Sequence, residues 1–163
     1  YVDRWGRCVM ATVIRGDDNF DSAEAGKVLQ VVQATSNSET IPNASWTNIT
    51  GASVSITPSS TSSKVLITFN TGGMSTGAPD SISLKMLRGS TSIRVSSRYS
   101  YATSGWVPIP LIYTYLDSPS TASSVTYTIQ IKSDVDADMR INHDQSNNGG
   151  VNGLVIMATE IGG

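Results

Sequence analysis

Few side chains in this sequence are placed to make or break bonds. Gly73-Met74-Ser75-Thr76-Gly77 has the spacing of a nucleophile elbow, where a sharp strand-to-helix turn exposes the serine. Pro79 and an alternating apolar run follow it, where a helix should begin. His143 is the one imidazole in the chain, and it lies in a polar Asn-Gly stretch that reads as a solvated loop. Asp134, Asp136 and Asp138 alternate like the first ligands of a calcium loop. Met139 and Gln145 then stand where that loop needs glycine and glutamate, so the plain reading is three carboxylates on the wet side of a strand. Asp17, Asn19 and Asp21 fail in the same way. The only glutamates are Glu24, Glu39 and Glu160, and no acid and base pair for glycoside hydrolysis stands out. Cys8, the only cysteine, excludes an internal disulfide and a multi-cysteine metal site, and is expected to be a buried thiol. The expectation is a protein with no catalytic residue, no metal and no cofactor.

Residues suited to holding a partner are easier to find. Tyr99, Tyr101 and Trp106 are mixed with Arg98, Ser100, Ser104 and Gly105. Rigid amphipathic rings beside small adaptable polar groups are the mixture that binding loops use. A second loop, from His143 to Gly153, presents the amides of Asn147, Asn148 and Asn152. Tyr99, Tyr101, Trp106, Asn147 and Asn148 are therefore the candidate receptor-binding residues. Arg15-Gly16-Asp17 spells an integrin-binding tripeptide, which is common by chance. Asn43-Ala44-Ser45 and Asn48-Ile49-Thr50 fit the N-glycosylation pattern, which matters only in a eukaryotic secretory pathway.

The elements that must carry these loops are strands. The 163 residues are one domain's worth, with 15% charged and 39% hydrophobic residues. Hydroxyls replace charge, with 25 Ser and 17 Thr, and Val plus Ile number 28 against 7 Leu. That β-branched excess favours pleated backbone. Period-two alternation appears in Val125/Tyr127/Ile129/Ile131, Val65/Ile67/Phe69, Ile82/Leu84/Met86, Val54/Ile56 and Ile93/Val95. Lys27 to Thr35 and Leu154 to Ile161 are apolar on both faces, as expected of strands covered on two sides by the fold or by another subunit. Pro58 to Ser63 and Asp117 to Ala122 are turn-rich links, and Arg88-Gly89-Ser90-Thr91 suits a tight hairpin. Pro108 and Pro110 place the strand between Trp106 and Tyr115 at a sheet edge. Only Asp21 to Leu29 reads as a helical turn. The fold class is all-β, an antiparallel β-sandwich of jelly-roll type, with residues 1–25 as an N-terminal strand and connecting loop and 26–163 as the sandwich. A net charge of −2 speaks against holding nucleic acid by neutralising phosphates, and no apolar run is long enough to span a membrane as a helix.

Four segments carry a resemblance: Gly26-Lys27-Val28-Leu29-Gln30-Val31-Val32, Val54 to Leu66, Leu87-Arg88-Gly89-Ser90-Thr91 and Glu160-Ile161-Gly162-Gly163. Together they are similar to a β-rich module of tailed bacteriophages, assigned to tail fibres and other virion structural proteins. Tyr1-Val2-Asp3-Arg4-Trp5 resembles a motif met near the start of phage tail and fibre domains. The resemblance covers residues 26 to 163 and carries no catalytic signature. It implies a homotrimeric or otherwise multimeric domain on the outer surface of a virion. Its partners would be copies of itself, other virion proteins and a host-surface glycan or protein. Some fibre tips hold iron through paired histidines, and a single histidine predicts no such site here. The resemblance implies a receptor-recognition domain of a tail fibre, with a capsid decoration or head-fibre protein as the alternative.

Overall fold

A computed structural model describes residues 26–71, 74–75, 80–102, 110–133, 140–142 and 153–163; at 74–75, 80 and 98–102 the description is of backbone only. All regular structure within these residues is β. Eight long strands, β1 (Val28–Ser36), β2 (Thr47–Ile56), β3 (Lys64–Thr71), β5 (Asp80–Arg88), β6 (Thr91–Ala102), β7 (Leu111–Asp117), β8 (Val125–Ser133) and β10 (Leu154–Ile161), make two four-stranded sheets. The short strands β4 (Met74–Ser75) and β9 (Arg140–Ile141) pair with each other.

The first sheet runs β1-β10-β3-β7 and the second β2-β8-β5-β6, with every neighbouring pair antiparallel. The long strands nest as if one hairpin had been rolled up: first pairs with last (β1·β10), second with second-last (β2·β8), then β3·β7, then the central hairpin β5·β6. Rolling that hairpin sends alternate pairs to opposite sheets, which is the jelly-roll arrangement. Its centre is the turn Gly89-Ser90, where positive φ occurs at Gly89 (58°) but not at Ser90, as a two-residue type II′ turn requires.

Alternation decides the core. Tyr127, Ile129 and Ile131 of β8 meet Val65, Ile67 and Phe69 of β3, Ile82, Leu84 and Met86 of β5, and Ile156 and Ala158 of β10, all buried. β7 lies at a sheet edge as expected, but Pro110 precedes the strand instead of interrupting it, and Pro108 lies outside the described residues. Leu29, read as the end of a helical turn, belongs to β1.

Val95 departs from the expected pattern, being 50% exposed. Met86 pairs with Arg94 while Leu87 pairs with Ser92, so Ile93 is an extra residue. The bulge reverses the parity of the strand beyond it. Val95 is thereby turned outward beside Lys85, while Arg94 lies over the rings of Tyr113 and Tyr115, 5.6 and 5.7 Å from their centroids. An arginine thus covers the open side between β6 and β7.

A second irregularity lies in β2, where the register jumps between Asn48 and Ser53 and Ile49 and Ala52 both point inward. Gly51, at φ 82°, makes this possible: a Cβ there would sit 2.1 Å from the Cβ of Ser36, so β2 passes against β1 at that point. Gly51→Ala combines an unfavourable φ with that clash and is expected to cost about 2 kcal/mol. The measurement is a lower urea midpoint at unchanged slope. An unmoved midpoint would mean the corner relaxes freely.

Candidate contact surfaces

Most of the residues expected to bind a receptor are not placed. Trp106, Asn147, Asn148 and Asn152 lie outside the described residues, as do His143, Asp134, Asp136, Asp138, Cys8 and Arg15-Gly16-Asp17. The backbones of Tyr99 and Tyr101 belong to the end of β6, where Tyr101 pairs with Ser81. Ser75 of the elbow-like motif stands in β4 opposite Arg140, which is a strand context and not a strand-to-helix turn. Asn43 closes a local turn, its Oδ1 accepting from Ser45 N at 2.8 Å. Among the described residues there is no group of three His, Cys, Asp or Glu side chains able to hold a metal.

Two carboxylates are buried in networks of their own, Glu160, which offered no catalytic pair in the sequence, and Asp117, which reads there as the start of a turn-rich link. Pairing aligns Gln30, Glu160, Val65 and Asp117 in one row across the first sheet. Glu160 and Asp117 face into the sandwich at its end, 0% and 6% exposed. Glu160 accepts from Ser59 N (2.7 Å), Ser59 Oγ (2.6 Å) and Gln30 Nε2 (2.6 Å). Burial alone would raise its pKa, but these donors outweigh burial and hold it at about 2. The Ser63 hydroxyl adds to the pull without reaching full hydrogen-bond geometry. Asp117 accepts from Arg88 Nη1 (2.9 and 3.2 Å) and from the Tyr127 hydroxyl (2.7 Å). Burial, and then the bond to Asp117, push the Tyr127 pKa upward, with Arg88 opposing. Both carboxylates act as clamps. Glu160 ties the turn between β2 and β3 to β10, and Asp117 ties the edge of one sheet to two strands of the other.

The outer faces of the two sheets differ in chemistry. On the first, register places Val31, Thr159, Leu66 and Leu116 in one row and Thr35, Val155, Asn70 and Ile112 in another, with Gln33, Met157, Thr68 and Thr114 between them. Val31, Ile112 and Leu116 are 54%, 59% and 46% exposed. Lys64 is the one charged strand residue on this face, since Glu160 and Asp117 point inward. The doubly apolar strands expected from the sequence are here, β10 central and β1 at the edge, and within the described residues only their inner faces are covered by the fold.

The outer face of the second sheet is polar. Ser53 and Thr128 share a hydrogen bond (3.1 Å), as do Ser55 and Thr126 (2.7 Å), and Gln130 Nε2 donates to Asn48 Oδ1 at 2.9 Å. Trp46, just before β2, is half-buried over the lysines of the neighbouring strands, with Lys85 Nζ 4.0 Å and Lys132 Nζ 5.7 Å from its ring centroid. Trp46 was not among the sequence candidates. The available signal was an aromatic residue abutting a strand whose Asn, Ser and Thr alternate with apolar residues.

No family model matches the chain, and no curated protein matches it. Among solved structures, "Structure of infectious bursal disease virus Gx strain" aligns with it at 10% identity and a TM-score of 0.42, over 82% of this chain. The chain spans 38% of the length of that one.

Proposed function

We propose that this chain is a structural domain of a bacteriophage virion, exposed on the particle surface as the receptor-recognition domain of a tail fibre, and that it works by contact and not by catalysis. The observation that carries this reading is the apolar outer face of the sheet β1-β10-β3-β7. A monomer would leave Val31 on one edge strand and Ile112 and Leu116 on the other in water, with Leu66, Met157 and Val155 between them among uncharged polar residues, and exposed apolar side chains on an almost uncharged face suit association. The occupant we assign is a second and third copy of the chain. Lys64, at one end, is the only charged strand residue of the face, so its middle packs against other copies without burying a charge and offers a charged partner nothing to pair with. Four strands of this length cover roughly 20 by 25 Å, and with side-chain relief this approaches the ~800 Å² per partner of a standard interface. Three copies turning the face toward a common axis complete each other's covering, and multivalent contact then multiplies weak receptor binding. The resemblance to tail-fibre modules and the jelly roll, a fold that viral capsid and lectin domains share, support the reading by analogy.

Sedimentation of the wild-type chain is expected to report three copies, and Leu116→Lys or Val31→Lys a folded monomer. A wild-type monomer at about 100 μM would overturn assembly through this face. Gold-labelled antibody on whole particles is expected to mark the tail; head labelling would replace the fibre reading with that of a capsid decoration protein.

A further inference from the structure

We infer that the outer face of the second sheet, centred on Trp46, is a binding site for a carboxylated sugar residue of a glycan. This deepens the adhesion reading above and rests on it, but uses the opposite sheet from the one assigned to assembly.

Pairing sets Asn48 of β2, Gln130 of β8 and Lys85 of β5 side by side across three strands. Trp46 lies over that row with Lys85 Nζ 4.0 Å from its ring centroid. The cation–π contact positions the ammonium at the ring without using a carboxylate, and among the described residues Lys85 has no acidic partner. The described carboxylates are engaged elsewhere: Glu160 and Asp117 are buried in their own networks, and Glu39 pairs with Arg140 at 3.0 Å. One ammonium without an acidic partner among the described residues, on a chain of net charge −2, favours one anionic group bound at close range over a long polyanion held by its charge density.

The neighbours supply the rest of the recognition. The Gln130–Asn48 bond uses one donor of the first amide and the acceptor of the second. It leaves the Asn48 amide hydrogens and the Gln130 carbonyl without a partner among the described residues, a donor and an acceptor in fixed relation. A pyranose stacks its apolar face on the indole face that Lys85 does not cover, directs hydroxyls past the ring edge at such an amide pair and, when oxidised to a uronic acid, carries a carboxylate to that edge, where the Lys85 ammonium swings out to meet it. A neutral sugar would engage the first two features and leave Lys85 unused. A phosphate or sulfate ester would engage Lys85, but its tetrahedral group is not carried on the ring carbon that places a carboxylate next to the stacked face.

The probe is a galacturonic acid trisaccharide, with its methyl ester as the neutral twin, titrated into the 163-residue chain while the Trp46 indole N–H is followed by NMR. Saturable shifts at millimolar or tighter concentration are expected for the acid, with about fivefold weaker binding of the ester. Lys85→Gln is expected to bring the acid down to the ester's affinity and leave the ester unchanged. Trp46→Ala weakens both sugars; should that variant fail to melt cooperatively, Trp46→Phe, which keeps a smaller ring, tests the same point. Equal binding of acid and ester, wild-type affinity in the Lys85 variant, or no shift at about 20 mM ligand would each overturn the inference. Sedimentation of the same sample separates the two readings: a monomer that binds the acid overturns assembly alone, and a trimer that does not bind overturns this site alone.

Discussion

Asp117→Ala should lower the stability of the domain by about 4 kcal/mol, a large loss for a polar side chain on an edge strand. The carboxylate ends edge strand β7 and is 6% exposed, yet both its partners belong to the opposite sheet: Arg88 ends β5, and Tyr127 pairs with it near the start of β8. Removing it leaves the Tyr127 hydroxyl buried without an acceptor, at about 1–3 kcal/mol, and leaves a partly buried guanidinium without its counter-ion. The Arg88 side chain is 29% exposed, so water recovers part of the second loss. Tyr127→Phe removes donor and need together at the hydroxyl and is expected to cost only about 1 kcal/mol. Because both variants break one network, their double mutant should be more stable than the sum of the single losses predicts, by about 1–2 kcal/mol. Urea unfolding at neutral pH measures all three. A loss below about 1 kcal/mol for Asp117→Ala would show that the sheets hold together without the clamp.

Glu160 adds a dependence on acid that can be followed by itself. Its carboxyl titrates at about 2 in the folded protein against 4.5 for an ordinary glutamate. With the folded value the lower one, the unfolded chain binds the extra proton between these limits, so stability rises with pH across that window. The contribution is complete above about pH 4.5 and falls as acid approaches pH 2, in total about 3 kcal/mol. Glu160→Gln keeps the shape but sets amide hydrogens against the Ser59 donors, and should remove most of that contribution at neutral pH. The gap between wild type and variant is then expected to close as pH falls from about 4.5 to 2. A gap that stays constant would assign the loss to packing.

Local pattern carried much of this fold into view. Alternation along Val125 to Ile131, Val65 to Phe69 and Ile82 to Met86 identifies strands because neighbouring side chains must point to opposite faces, a consequence of chain geometry that needs no partner. The hairpin at Gly89-Ser90 was legible for a similar reason, since a tight turn selects its own residues. Val95 was misassigned because a bulge is a relation between two strands, and nothing within β6 announces the extra residue at Ile93. The candidate site was less legible still. Tyrosines and asparagines can be picked by type, although Tyr99 and Tyr101 belong to β6 and not to a loop, but Trp46 became a candidate only when pairing brought Lys85 and Lys132 to its ring.

By itself, then, the sequence determined that this is a β protein, with most strands apolar on one side and hydroxyl-rich on the other and two strands apolar on both. Tertiary structure alone decided the rolled nesting of the strands and which apolar face was left uncovered. It also decided that Glu160, set aside as a catalytic acid, and Asp117, read as the start of a turn-rich link, would become clamps. Glu160 meets Ser59 across 101 residues of chain and Gln30 across 130. Such meetings follow from how the sheets close around the core, and no short-range preference along the backbone encodes them.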